Sequence, residues 1–214
     1  LEAAETDIAF DDGNFVVAGT DKSVNITDVA KLAYNPMALP HDIEPMLTAT
    51  AAFRPKAPTF PNGCHLCELE IDPETGKTEF TRYVVVDDVG TVINPLLLKG
   101  QIHGGISQGL GQAMCEDIAY DPESGQLITA SFLDYCMPRA DDMCSIEVES
   151  HAVPSPTNPM GIKGAGEAGC VGALPCVQSA LIDALSPLGI TDVPMPATPS
   201  RLWQAIQAAQ NSAA

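Results

Sequence analysis

Residues 64–88 read Cys64-His-Leu-Cys-Glu-Leu-Glu-Ile71, then Asp72-Pro-Glu-Thr-Gly76, Lys77, and Thr78-Glu-Phe-Thr-Arg-Tyr-Val-Val-Val-Asp-Asp88. Polar and apolar residues alternate over 64–71, a turn with Pro73 and Gly76 follows, and a β-branched run around Tyr83 closes the stretch. Two such runs joined by a short turn predict an antiparallel hairpin. Gly90 to Pro95 reads as a second turn. Residues 96–114 then read as a helix that carries Gly100, Gly104, Gly105, Gly109 and Gly111. Each glycine inside a helix costs about 1 kcal/mol against alanine. Five in one helix imply close approach of another backbone or of a ligand.

Working outward, residues 6–17 predict a short hairpin around Asp11-Asp12-Gly13-Asn14. Thr27 is the expected N-cap of a helix over 28–34, ended by Asn35-Pro36. Residues 35–62 form a long polar, Pro-rich connection. Downstream, Glu116–Tyr120 and Gln126–Ala130 flank a turn at 121–125 and predict another hairpin. Strands are expected over Ser131–Cys136 and Ile146–Val153, with a loop over 154–169. Helices are expected over 170–185 and from Thr198 to Gln210, the last with Pro199 in its first turn. No composition break divides the chain, so residues 1–214 are expected to form a single domain. Its class is α+β: a mixed sheet built from hairpins with packing helices, not a doubly wound sheet.

Composition narrows the function. The 214 residues hold 28 acidic and 10 basic side chains, a formal net charge of −18. Nucleic acid and anionic membrane surfaces both call for the opposite sign. Disorder is excluded by a hydrophobic content of 45%. No unbroken apolar run of about 18 residues predicts a membrane span. The opening Leu1-Glu-Ala-Ala-Glu5 is acidic and lacks a signal-peptide pattern. It reads as the inside of a helix, so the chain is expected to be cut from a longer one. Seven cysteines, an odd number in apolar contexts, fit a reducing cytoplasmic location. Cys64 and Cys67 form a CxxC. On a strand, residues three apart face opposite ways, so core thiols are expected there and no metal ligands.

The chemistry-bearing stretch is Gly161-Ile-Lys-Gly-Ala-Gly-Glu-Ala-Gly169. Gly164–Gly169 matches GxGxxG, but Pro154, Pro156 and Pro159 upstream exclude the buried strand that a dinucleotide fingerprint needs. Glu167 sits among small residues ahead of a helix N-terminus. It is a candidate general base, against the alternative that it only caps the helix. Lys163 either binds an anion or is solvated. Gln101 and Gln108 flank His103, and an amide that donates and accepts suits a heterocycle. His103 is expected to be a hydrogen-bonded packing residue. Asp87 and Asp88 should point to opposite faces.

Three runs, Asp88–Pro95, Gly100–Gly109 and Gly161–Gly169, together resemble the molybdenum hydroxylase family. The resemblance is strongest to the C-terminal part of the molybdopterin-binding large subunit of carbon monoxide dehydrogenase-type enzymes, a pattern shared with xanthine dehydrogenases and aldehyde oxidases. It implies that Glu167 is the active-site base beside molybdenum and that Gln101 hydrogen-bonds the pterin. Lys163, Gly164, Ala165 and Gly166 would line the same pocket. The implied cofactor is molybdenum–molybdopterin cytosine dinucleotide, shared with the N-terminal part of the large subunit. FAD and [2Fe-2S] would belong to a flavin subunit and an iron–sulfur subunit. The implied reaction is oxidation of carbon monoxide, an aldehyde or a heterocycle with water as the oxygen source. Carbon monoxide oxidisers often carry Ser-Pro where this chain has Ala168-Gly169, which leaves the substrate open. The alternative is a non-catalytic domain that keeps the fold for assembly or ligand binding.

Overall fold

The computed structural model describes residues 1–213. They form two compact units, Leu1–Arg54 and Pro55–Ala214.

In the first unit, β1 (Ile8–Asp11), β2 (Asn14–Val17) and β3 (Ser23–Asn25) make an antiparallel sheet in that order. Asp12 and Gly13 turn the β1–β2 hairpin with φ of 41° and 77°, the left-handed pair that matches strand twist. The helix α1 (Ile26–Ala33) follows directly. Its cap is Asn25, not Thr27: Asn25 Oδ1 accepts the Thr27 amide at 3.0 Å. A second bond from Asn25 Nδ2 to Asn14 Oδ1, 3.1 Å, ties the cap to the hairpin, an anchor that Thr27 lacks. Residues 34–54 carry no helix or strand, as expected.

In the second unit, β4 (Asn62–Ile71), β5 (Thr78–Asp88) and β6 (Ile146–Ser150) form a sheet of order β4-β5-β6. The β4–β5 pair is antiparallel and the β5–β6 pair parallel, so the sheet is mixed. Glu68 pairs with Arg82 but Leu69 with Phe80, which leaves Thr81 as a bulge. The extra residue shifts the strand phase, and Phe80 and Tyr83 therefore both reach the core. Three helices pack in this unit: α2 (Pro95–Met114), α3 (Ala168–Leu185) and α4 (Pro199–Ala213). Asn94 caps α2 by accepting the Leu97 amide at 3.1 Å. Ile102, Ile106 and Leu110 of α2, Val177 and Leu181 of α3, and Leu202 and Ile206 of α4 close on Tyr83 and Val85 in one core.

The glycine-rich helix is explained in part by this packing. A Cβ at Gly105 would lie 2.9 Å from Cys170 N, and one at Gly109 2.8 Å from Ala173 Cβ. From the other side, a Cβ at Gly169 would meet Ile102 O at 2.5 Å. Small residues on both helices let the backbones of α2 and α3 approach closely. α3 is also long and apolar enough to cross a membrane by length and composition. Here its Ala173, Val177, Leu181 and Leu185 are buried in the core.

Two expected elements are absent. The 116–130 hairpin reduces to a single bridge, Tyr120 with Leu127, around a turn in which Asp121 Oδ1 accepts the Ser124 amide at 2.7 Å. Residues 131–136 form a turn, not a strand. Ser131 Oγ donates to Asp134 Oδ2 at 2.7 Å, and Ser131 O accepts the Tyr135 amide at 2.8 Å. Local side-chain bonds of this kind compete with a sheet ladder. β6 stops at Ser150 because the Val153 amide is taken by Asp88 Oδ1 at 3.0 Å.

Candidate functional site

The site begins where β5 ends. Asp87 and Asp88 do point to opposite faces, as the strand period requires. Asp88 accepts the Gly90 amide at 2.9 Å and the Val153 amide at 3.0 Å on Oδ1. Its Oδ2 pairs with Lys163 Nζ at 2.5 Å, with the two side chains only 11% and 14% exposed. The Lys163 bond and the two amides hold the Asp88 carboxyl down to about 2. Lys163 is thus neither solvated nor free for an anion; its charge pins the loop to the sheet. Beside it Gly90 bridges Ile162, and Gly90 and Gly161 adopt φ of 68° and 67°. A side chain on Gly90 would collide with the Gly161 carbonyl. Asn158 closes the turn by bonding both the amide and the carbonyl of Ile162, at 3.0 and 2.9 Å.

The same loop is tied to α2. Gln101 Nε2 donates to Gly166 O at 2.7 Å. Glu167 follows at the N-cap position of α3, with φ −107° and ψ −1°, and its side chain makes no capping bond. The capping alternative therefore fails: the backbone starts the helix while the carboxylate projects from it, exposed. Glu167 lines a cavity of about 330 Å³ together with Phe60, Asn62, His65, Asp87 and Val171. Asp87 is 3% exposed, and its Oδ2 is buried without a hydrogen-bond partner.

Around Glu167 the small residues divide into two sets. Gly105, Gly109 and Gly169 serve the helix crossing. A Cβ at Gly100, Gly104, Gly164 or Gly166 would meet nothing within 4 Å. Each of these four faces open space; Gly100 adjoins Gln101 in the chain and Gly166 adjoins Glu167. Ala165 is half-buried in the same loop, and Gln108 is exposed on α2. His103 differs from expectation, because its buried Nε2 has no hydrogen-bond partner. Cys64 is exposed while Cys67 packs against the core from the opposite face of β4. Among the described residues no cluster of three or more His, Cys, Asp or Glu side chains has metal-ligating geometry.

Sequence reasoning missed one constellation. His65, Cys67 and Tyr83 meet Cys176 of α3 behind the cavity. Strand alternation places His65 and Cys67 on one face, but no sequence signal brings α3 against them.

Residues 1–144 match the family described as "Molybdopterin cofactor-binding domain". The chain is 36% identical over 208 residues to the carbon monoxide dehydrogenase large chain of Hydrogenophaga pseudoflava, covering 97% of this chain and 26% of that protein. It is 40% identical over 207 residues to the nicotine 6-hydroxylase large subunit of Paenarthrobacter nicotinovorans, covering 96% and 25%. Its fold is similar to that of quinoline 2-oxidoreductase from Pseudomonas putida 86, with a TM-score of 0.77 and 39% identity over 96% of this chain and 26% of that one. The chain belongs to the molybdopterin cofactor-binding family of molybdenum hydroxylase large subunits, and its fold class is α+β as expected. It spans about a quarter of the length of the curated relatives it matches.

Proposed function

We propose that this chain supplies the carboxylate side of the active site in a molybdenum-dependent oxidoreductase. One observation carries the reading: the Gln101–Gly166 bond tethers the residue before Glu167, while Gly100, Gly104, Gly164 and Gly166 face open space. That surface fits a bulky pterin. Backbone can approach the group closely at glycine, and nothing else fills the space. Gln101 keeps its Oε1 and one amide proton to bond the group, and Gly164, Ala165 and Gly166 flank it. Lys163 acts from behind, by holding the loop through Asp88. When bound, molybdenum–molybdopterin, in its cytosine dinucleotide form, supplies two-electron redox chemistry with water as the oxygen source.

Glu167 then takes the proton released in the reaction. Its carboxylate is exposed and makes no capping bond, and the residue before it is tethered to Gln101. Positioned proton transfer of this kind is worth about 10²–10⁴-fold in rate. The substrate is carbon monoxide, an aldehyde or a heterocycle. The remainder of the site belongs to the N-terminal part of the large subunit, with electrons passing to an iron–sulfur subunit and then a flavin subunit. The exposed Ile93, Leu96 and Leu97 at the start of α2 suit contact with that remainder. Seven free cysteines fit a cytoplasmic enzyme.

The test is Glu167→Gln in the assembled enzyme, with molybdenum and pterin measured alongside turnover. The expected result is a loss of about 10²-fold or more in turnover at unchanged cofactor content. Undiminished turnover overturns the role of Glu167. Absence of molybdenum and pterin from every assembled complex leaves the assembly-domain alternative.

A further inference from the structure

A line of polar groups runs through the second unit that the proposed reaction does not use. The Tyr83 hydroxyl lies 2.8 Å from His65 Nδ1, and the two rings meet edge to face with centroids 5.8 Å apart. Asp87 Oδ1 lies 3.7 Å from His65 Nε2. On the other side, Cys67 lies opposite Tyr83 in the β4–β5 pairing, and Cys67 and Cys176 both pack against the core that contains Tyr83. The two thiols come from different elements, Cys67 from β4 and Cys176 from α3. Both line a cavity of about 570 Å³ that opens to solvent between those elements, with Cys64, His65, Ser179 and Asp183.

The local sequence of α3 makes this contact possible. Gly172 presents only hydrogen to the His65 ring, with which any side chain would collide. Pro175 sits inside the helix and donates no backbone hydrogen, so the Val171 carbonyl loses its helical partner. Cys176 follows at once.

The pair is chemically asymmetric. The neighbouring Cys67 side chain holds the Cys176 thiol down to about 7 against the effect of burial, with help from Tyr83 and His65. Cys67 is pushed up, first by the neighbouring Cys176 and then by burial, Cys144 and Glu68. Cys176 therefore ionises more readily than Cys67, the arrangement in which a nucleophile stands beside its resolving partner. A second contacting pair offers a comparison. Cys115, beside Cys136, is pushed up to about 12, mainly by burial.

We propose that Cys67 and Cys176 form a reactive dithiol, a modification site for hydroperoxides that enter the cavity between β4 and α3. The Cys176 thiolate attacks the distal peroxide oxygen. The O–O bond breaks, the leaving oxygen takes a proton as water or alcohol, and Cys176 becomes a sulfenic acid. Cys67 sulfur then attacks Cys176 sulfur, the S–O bond breaks, and the hydroxyl leaves as water with the Cys67 proton. Two thiols are oxidised to one disulfide and one peroxide is reduced. The bond links α3, whose first turn follows Glu167, to β4.

The test is hydrogen peroxide titration of the reduced full chain at pH 7, followed by peptide mapping without reductant. A Cys67–Cys176 cross-link is expected first, ahead of any Cys115–Cys136 cross-link, with loss of two hydrogen atoms and full reversal by dithiothreitol. Iodoacetamide labelling of Cys176 should rise with pH through a midpoint near 7, and Tyr83→Phe or Cys67→Ala should move that midpoint upward. Cys176→Ser should leave Cys67 reduced. Three results overturn the proposal: the Cys115–Cys136 cross-link forming first, Cys176 passing to sulfinic acid with Cys67 untouched, or Cys67 oxidising as fast in Cys176→Ser as in the parent chain. The peroxide mapping needs no variant, so a misfolded substitution leaves the result decisive.

Discussion

Gln101 of α2 and Gly166, separated by 65 positions in the chain, are joined by a side-chain-to-backbone hydrogen bond of 2.7 Å. The bond fixes the residue before Glu167 to a rigid helix. Gln101→Ala removes it. The expected stability loss is about 1 kcal/mol, the ordinary worth of such a bond. Turnover of the assembled enzyme should fall further than that, because the carboxylate loses its aim. Thermal melting of the chain alongside steady-state kinetics of the complex checks both halves.

The Asp88–Lys163 pair predicts an acid-sensitive loop. The folded-state carboxyl is held at about 2, below the value of about 3.9 in an unfolded chain. A depressed carboxyl contributes stability that is present above the unfolded value and is lost as pH falls toward about 2. The urea midpoint of the parent chain should therefore drop between about pH 4 and pH 2. Asp88→Asn should lower the midpoint at pH 7, since Lys163 keeps a nearly buried charge without its counterion. It should also flatten the acid dependence in that window.

Two glycine substitutions should act in opposite directions. Gly169→Ala forces a methyl against Ile102 O and Ile106 N, at 2.5 and 2.9 Å, where backbone cannot yield easily. A loss of about 1–3 kcal/mol is expected. Gly104→Ala points into open space and should stabilise the chain by up to about 1 kcal/mol. The same methyl would stand on the surface assigned to the pterin, so molybdenum and pterin content of the assembled enzyme should fall. Calorimetry and elemental analysis of the two variants decide the matter.

In the first unit, Asn25→Ala should cost about 1 kcal/mol as a lost helix cap. Thr27→Ala should cost less, because Thr27 is the residue capped. Amide hydrogen exchange across α1 measures the difference.

The legible parts of this chain are those with local causes. The 64–88 hairpin, the glycine-rich helix and the loop before α3 all announce themselves through period and turn chemistry. Glu167 and Gln101 were singled out from their neighbours and from the family pattern, and the fold brings their segments together. The errors also have local causes. Ser131 and Asp134 bond to their own neighbourhood, and so a run with strand-like composition turns back on itself. Asn25 wins the cap because it also reaches Asn14 across the hairpin, a relation that no window around residue 27 contains. For Lys163 the sequence leaves anion binding and solvation both open, because its partner Asp88 lies 75 positions away. The Cys67–Cys176 contact depends on how α3 meets β4, and the periodicity of neither element encodes it.

The loop before Glu167 has three moorings: the Gly90–Ile162 bridge, the Asp88–Lys163 pair and the Gln101–Gly166 bond. All six residues lie within Pro55–Ala214. The loop before Glu167 is thus tethered entirely within one unit, so a swap of that stretch between related large subunits would carry Glu167 together with all three of its moorings.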